Sequence, residues 1–261
     1  MSPTMRAIII GAGRGSRLRS MTDNQPKCYA TVAGWRILDW TLDAFDRAGL
    51  RDKTFIGGYQ IDQIRRDYPH LMFRHNADWQ NNNILLSLFH AEQDMAGGFV
   101  CSYADILFKD SIVRDALNHP GDIVLCVDMR WRDRYAHRTQ HPEHDAEKVR
   151  VQGDRVTHIH RDIPAAGADG EYIGLAKFTP RGAALFRDHF HRVRDEFSGK
   201  RWREAKIFEK AYLILLFQEL IDQGIPVHFV ATHGDYMEID TEEDYALANR
   251  DWTKIAANAG V

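Results

Sequence analysis

Arg6-Ala-Ile-Ile-Ile-Gly-Ala-Gly-Arg-Gly-Ser-Arg-Leu18 decides how the chain is read. Arg6 to Ile10 is short, apolar and β-branched, and glycine follows at once, which is the pattern of a buried parallel strand. Gly11, Gly13 and Gly15 let backbone N–H groups close around phosphate oxygens, because no Cβ holds the oxygens off. The segment is not a P-loop, which would end in Gly-Lys-Ser/Thr, and Ser16 stands where the dinucleotide GxGxxG pattern has its third glycine. Arg14 and Arg17 lie in the loop, and Lys27 follows Pro26 ten residues after Arg17. Three cations around one glycine loop suit a triphosphate better than a dinucleotide, whose fingerprint relies on a helix N-terminus.

Outward from the loop, the chain alternates. Apolar spacing predicts a helix over 37–48, closed by Gly49. A strand over 53–57, a helix over 61–68 and a short strand over 72–74 follow. A helix is expected over 83–95, a strand over 99–103 that runs into Asp105, a helix over 111–118 and a strand over 122–127. This alternation predicts an α/β fold with a doubly wound, mostly parallel sheet. The stretch 130–144 is rich in Arg, His and Asp without an apolar period, and reads either as a lid or as a solvated loop. Beyond it come a hairpin (148–151 and 155–160, turned at Gly153-Asp154), a strand over 172–178 and a helix over 182–197. A long helix over 205–223, a last strand over 227–231 and a closing helix over 241–249 complete the pattern; Thr241 and Asp244 set up a capping box for the last.

A chain of 261 residues fits one large domain. Its net charge of -3 gives no basic excess to suggest nucleic acid as a partner. Cys28, Cys101 and Cys126 form no CxxC pair, so neither a zinc ribbon nor a disulfide framework is indicated. No apolar run approaches the roughly 18 residues of a membrane helix, and the cytoplasm is the expected compartment. Monomer and homodimer both stay open.

Gly11-Ala-Gly-Arg-Gly-Ser-Arg-Leu18, followed by Gln25-Pro-Lys27, resembles the signature of the sugar-phosphate nucleotidyltransferase superfamily, with Gly11 in place of the usual alanine. Its members have a Rossmann-like sheet and couple a nucleoside triphosphate to a phosphorylated small molecule, releasing pyrophosphate. Asn83-Ile-Leu-Leu-Ser-Leu88 resembles a segment near the base and ribose in the cytidylyltransferase branch. Ser102-Tyr-Ala-Asp105 stands where the superfamily has its strand-end metal aspartate. Asp145-Ala-Glu-Lys-Val149, Gly170-Glu-Tyr-Ile-Gly174 and Lys177-Phe178 look like the acceptor side of phosphocholine and aminoethylphosphonate cytidylyltransferases. Met237-Glu-Ile-Asp-Thr241 looks like the element carrying their second metal carboxylate.

The resemblance implies a single domain over 1–261, with 1–128 mainly binding nucleotide and 129–240 forming the acceptor side and a small lid. It implies transfer of CMP from CTP to a small phosphorylated or phosphonate acceptor. Such an acceptor is already ionised at neutral pH, so positioning and charge neutralisation suffice without a general base. Lys27 and Arg17 are the expected catalytic cations, and Gly11, Ala12, Gly13, Arg14, Gly15 and Ser16 the phosphate cradle. Asn83 and Ser87 are candidates for base or ribose contact, Asn83 reading equally as a helix cap.

Mg²⁺ takes one or two carboxylates plus phosphate oxygens and water. Asp105 fits because ligands of open α/β sheets sit beyond the carboxyl ends of strands. Asp240 is the second candidate, with Glu238 beside it. Lys148, Arg161, Glu171, Lys177 and Glu209 are candidates for the acceptor. His141 with His144, and His158 with His160, have spacings that zinc uses, but no third ligand stands out, and they read better as surface or acceptor-pocket residues.

Two alternatives within nucleotide chemistry stay open: a sugar-1-phosphate or inositol-phosphate nucleotidyltransferase using another NTP, and a non-catalytic nucleotide-binding regulator. An NAD-binding oxidoreductase needs an acid near the end of the second strand, and Asp62 is the first acid after Gly57. A choline-type acceptor needs an aromatic cage, for which Trp79, Trp131, Tyr135, Tyr172 and Trp202 are available. An amine needs a carboxylate instead, and the Arg and His of 130–144 suggest a carboxylated acceptor.

Overall fold

Successive residues of the first strand, β1 (Arg6–Gly11), point to opposite faces of a sheet, and each face has its own core. Ile8 and Ile10 enter one apolar cluster, while Ala7 and Ile9 enter another. That is why the run is apolar without alternation: both faces are covered. The computed structural model describes residues 5–136 and 138–257.

After β1, the short hairpin β2 (Thr31–Val32) and β3 (Trp35–Arg36) leads into α1 (Ile37–Arg47). Next come β4 (Lys53–Gly57), α2 (Ile61–Asp67), β5 (Met72–His75) and α3 (Ile84–Phe89). β6 (Phe99–Tyr103) and β7 (Ile106–Phe108) precede α4 (Asp110–Asn118), β8 (Ile123–Asp128) and α5 (Trp131–Tyr135). The hairpin β9 (Lys148–Gln152) and β10 (Arg155–Ile159) is followed by β11 (Gly170–Phe178), α6 (Pro180–Phe197) and α7 (Leu213–Asp222). The chain closes with β12 (His228–Thr232), β13 (Tyr236–Glu238) and α8 (Glu242–Ala257).

Nine strands form the main sheet in the order β5-β4-β1-β6-β11-β8-β12-β10-β9. β5, β4, β1 and β6 are parallel, and so are β8 and β12. β11 runs antiparallel between β6 and β8, and β10 is antiparallel to both its neighbours, so the sheet is mixed. The apolar run 170–178 did not reveal that direction, because a strand buried on both faces reads alike either way. No described helix is long and apolar enough to cross a membrane.

Two expected helices are shorter. α3 stops at Phe89, and the chain continues through a separate 3₁₀ turn, Glu92–Asp94, in place of a helix to 95. α7 starts at Leu213 rather than at 205. Ahead of it, Arg203 takes a left-handed φ of 52° and Trp202 bridges to Ala205, so the segment is a loop. Its Trp202, Ala205 and Phe208 plug the core, and apolar plugs in a loop imitate helical spacing. The stretch 130–144 is anchored at the buried Trp131, Tyr135 and His141, while most of its other described residues are exposed. Arg138 forms an ion pair with Asp244 (Nε to Oδ1, 2.8 Å) and donates from Nη2 to the Glu238 carbonyl at 2.9 Å. His137 of that stretch lies outside the described residues.

Candidate active site

Two loop–strand junctions from opposite ends of the chain meet at the carboxyl end of β1. Ala104 donates its N–H to the Ile10 carbonyl at 3.1 Å, which holds the β6–β7 turn beside the glycine loop. β7 then pairs antiparallel with β13, Ile106 opposite Glu238, and the Ile239 N–H reaches the Asp105 carbonyl at 3.0 Å. This small ladder sets Asp240 next to Asp105 across more than a hundred residues of chain. The capping box fixes Asp240 from the other side. Asp244 Oδ2 accepts from the N–H groups of Asp240 (3.1 Å) and Thr241 (2.9 Å), while the Asp244 N–H donates to Thr241 Oγ1 (3.2 Å).

Lys27 stands between the two aspartates. Its Nζ donates to Asp105 Oδ2 at 2.7 Å and to Asp240 Oδ1. Arg17 Nη2 lies 2.5 Å from Asp240 Oδ2, and Arg17 Nη1 lies 3.6 Å from Asp145. Burial pulls the Lys27 ammonium toward losing its proton, but the charges of Asp105 and Asp240 outweigh it, and the pKa moves up. For Asp240, burial acts to raise the pKa, yet Lys27 and Arg17 hold the carboxyl down at about 2. Glu238 goes the other way: burial, then the charges of Asp240, Glu171 and Asp105, push it well above the usual carboxylate range.

The cleft beside this centre is lined by Gly11, Ala12, Gly13 and Gly15 on one side and by Asn83, Ser87 and Asp105 on the other. Gly15 has a φ of 69°, and the Lys27 side chain lies across its Cα. Arg14 turns aside to Asp23 at 2.6 Å, and Ser16 starts a 3₁₀ turn without lining the cleft. Asn83 caps α3, accepting from the Ile84 N–H at 2.8 Å, and also lines the cleft. The Ser87 hydroxyl accepts from Asn76 Nδ2 at 2.8 Å. Trp79 and Asn82 also line the cleft. In sequence Trp79 stood only as an aromatic-cage candidate, and Asn82, in an aperiodic polar run, gave no signal.

A smaller cleft shares Tyr103 with the first and is lined by Glu147, Arg161, Glu171, Tyr172 and Glu238. β11 changes register between Tyr172 and Ala176, a bulge that aims this stretch inward. Gly174 sits in the bulge at a φ of 80°, with the Tyr103 ring packed on it. Glu147 accepts from Arg161 Nη2 and from the Tyr103 hydroxyl, both at 3.1 Å, and Arg161 stacks 3.8 Å from the Tyr212 ring centre. Glu171 accepts from Tyr135 at 2.8 Å and pairs with Arg134. Lys148 lies opposite Glu171 in the β9–β11 ladder, its Nζ donating to the carbonyls of Glu143 and Ala146 at 3.3 Å.

Two sequence candidates stand elsewhere. Lys177 donates to the carbonyls of His119 and Gly121 near the start of β8, because its position on β11 faces the opposite end of the sheet. The Glu209 carboxylate accepts from Ser198 and the Gly199 N–H, both at 3.0 Å, and caps a turn. No aromatic cage forms among the described candidates. Trp131 and Tyr135 pack with each other in a small core, Trp202 packs on Phe208, and Trp79 and Tyr172 line different clefts.

For a metal ion, His141, Glu238 and Asp240 offer ligand atoms within 4.8 Å of one another. Asp105 joins them only through Lys27, whose ammonium already fills the space between two carboxylates with positive charge. Oxygen donors in this arrangement fit a hard divalent cation. His141 was not expected in this set; its signal was the pair His141 and His144, of which His144 is exposed.

No family model matches the chain. It is 27% identical over 252 residues to the CTP:phosphoglutamine cytidylyltransferase of Campylobacter jejuni, covering 92% of this chain and 97% of that protein. It is 31% identical over 115 residues to the choline-phosphate cytidylyltransferase of Streptococcus pneumoniae, covering 42% of this chain and 49% of that one. Among solved structures, the inositol-1-phosphate CTP transferase from T. maritima superposes with a TM-score of 0.73 at 20% identity, over the full length of both chains. The CTP:phosphocholine cytidylyltransferase from S. pneumoniae gives 0.70 at 19% identity, over 94% of this chain and 98% of that one. In sequence and in fold, this chain is similar to the sugar-phosphate nucleotidyltransferases and, among them, to the cytidylyltransferases of phosphorylated and phosphonate acceptors.

Proposed function

We propose that the protein transfers CMP from CTP to a small phosphorylated or phosphonate acceptor and releases pyrophosphate. The observation that carries this reading is Lys27, packed against Gly15 of the glycine loop and fixed between Asp105 and Asp240. In this reading the chain is one Rossmann-like domain over 1–261. Residues 1–128 hold the nucleotide, and 129–240 supply the acceptor side and the segment packed over it.

The backbone of Gly11 to Gly15 cradles the phosphates. Lys27 and Arg17 neutralise the charge that builds up around the α-phosphorus as the acceptor oxygen attacks in line, and asparagine and tryptophan side chains wall the base and ribose. Preorganised cations of this kind cost no reorganisation when the charge shifts. Asp105 and Asp240, with Glu238 and His141 near, would hold Mg²⁺, which supplies further charge neutralisation across the phosphates.

The smaller cleft narrows the acceptor. Asp145, Glu147, Glu171 and Glu238 face it with Arg161, so among the described residues one cation and four acids meet the acceptor's two ends. That pattern favours a phosphate or phosphonate at Arg161 and a hydrogen-bond donor, an amine or amide, at the other end. Of the arginines of 130–144, Arg130 pairs with Asp133, Arg134 with Asp128 and Glu171, and Arg138 with Asp244; carboxylated acceptors, the class to which the phosphoglutamine of one relative belongs, stay in the screen. The test is a pyrophosphate-release screen of four NTPs against sugar phosphates, inositol phosphate, phosphocholine, aminoethylphosphonate and phosphorylated amides. CTP with a nitrogen-bearing acceptor is the expected pair. Turnover confined to sugar or inositol phosphates would move the protein to the other branch, and silence in every combination would support a regulator.

A further inference from the structure

At the opposite end of the sheet from the active site, three segments bring donor atoms together. His119 follows α4, Asp154 stands in the β9–β10 turn and His228 opens β12, where it pairs with Val124 near the start of β8. Ligand atoms of the three side chains lie within 4.8 Å of one another. His228 Nδ1 is 3.1 Å from Asp154 Oδ2, and the two imidazole rings are 5.2 Å apart and tilted by 45°. We propose that His119, Asp154 and His228 form a binding site for a borderline divalent transition-metal ion of the Zn²⁺ class.

The surroundings are built for close approach of the two rings. A Cβ on Gly121 would come within 2.6 Å of His228 Cδ2 and 3.0 Å of His119 Nδ1, so only glycine leaves room for both imidazoles. Lys177, buried in β11, donates to the carbonyls of His119 and Gly121 at 2.8 Å each and fixes the loop that carries them. The Gly121 N–H donates to His119 Nδ1 at 3.0 Å, so that nitrogen bears a lone pair, the form in which imidazole takes a metal. Gly121 is only half-buried, and its N–H can pass to water when the lone pair is taken.

Two imidazoles and one carboxylate are the donor set of three-ligand zinc sites, which leave a fourth position to water. Ligands on a tetrahedral zinc ion sit about 3.4 Å apart at bonds of about 2.1 Å. Asp154 and His228 are already near that spacing, and the exposed turn lets Asp154 adjust. The nitrogen donors separate this site in kind from the carboxylate-rich active site, which suits a harder ion. An ion here ties the α4–β8 connection, the β9–β10 hairpin and β12 into one unit, and binding only to the folded chain stabilises it.

The test uses untagged full-length protein titrated calorimetrically with Zn²⁺ alone, and with Co²⁺ followed by visible absorption. Wild type is expected to bind one equivalent that His119→Ala and His228→Ala weaken at least tenfold. Asp154→Asn, a surface change that keeps the fold, is expected to weaken it as well. His141→Ala, in the active-site cluster, is expected to keep that equivalent. Zn²⁺ is expected to raise the melting temperature of wild type and not of His228→Ala. No binding by wild type at micromolar Zn²⁺, or an equivalent that survives all three substitutions, overturns the proposal. So does an equivalent that disappears only in His141→Ala.

Discussion

Lys27 is packed against the one face of Gly15 where any other residue would carry its Cβ: an added Cβ would meet Lys27 Cδ at 2.5 Å and Cβ at 2.8 Å. The glycine loop and the lysine are thus one device, and the left-handed φ of 69° at Gly15 reinforces the requirement. Gly15→Ala is expected to cost about 1–2 kcal/mol in backbone strain and to displace the ammonium from the aspartates. Its kcat should fall more than its melting temperature accounts for. Gly13→Ala, with no atom within 4 Å of the new Cβ, is the control for stability and is expected to melt like wild type. Equal melting and equal turnover in Gly15→Ala would show that the packing does not matter.

Asp240 and Asp105 differ in burial, and their substitutions are expected to differ accordingly. Asp240 holds Lys27, Arg17 and the start of α8 together, while Asp105 is more open. Asp240→Asn is expected to lower stability by about 3–5 kcal/mol, since it leaves a buried ammonium short of its partner. Asp105→Asn is expected to keep most of the stability and to shift the Mg²⁺ dependence of turnover to higher concentration. Unchanged metal titrations in Asp105→Asn would remove it from the ligand set.

Among the described residues, Arg161 is the one cation that lines the smaller cleft, the proposed acceptor site. Arg161→Ala is expected to raise KM for the acceptor by one to two orders of magnitude, about 1.4–2.8 kcal/mol, with KM for CTP nearly unchanged. Steady-state kinetics with each substrate varied in turn reads the split. An effect confined to CTP would place Arg161 on the nucleotide.

Away from the site, Glu219 on α7 pairs with Arg192 and Arg203. Burial acts to raise its pKa, but the hydrogen bonds from Arg203 and Arg192 prevail and lower it below the ordinary 4.5. The folded state therefore binds this proton less readily than the unfolded chain. The pair's contribution is complete above about pH 4.5 and is lost as pH falls through the lower folded value. Glu219→Gln is expected to cost about 1–3 kcal/mol at pH 7 and to flatten part of the acid limb. Denaturant midpoints from pH 7 to 3 measure it, and a variant with the wild-type acid limb would contradict the assignment.

The first part of the chain was legible because its signals are local. β1, the glycine loop and α1 follow from residues adjacent in sequence, and the box formed by Thr241 and Asp244 stands as read. What sequence did not show is mostly long-range. Nothing local says that β13 pairs with β7, yet that pairing brings Asp240 beside Asp105. Lys177 shows the limit on the acceptor side: its motif sits on the right strand, but the bulge near Gly174 and the strand's direction send its side chain to the far end. The loop residues 205–212 read as helix because apolar plugs imitate an amphipathic face, and 130–144 read as a lid or a solvated loop because the partner of Arg138, Asp244, stands over a hundred residues away.

The most direct test of the account is CTP-dependent pyrophosphate release by Lys27→Ala, with circular dichroism confirming that the variant is folded. Loss of the one group that joins the loop to both aspartates is expected to lower kcat by about 10²–10³-fold or more while the acceptor still binds. Turnover within a few-fold of wild type in a folded Lys27→Ala protein would contradict it.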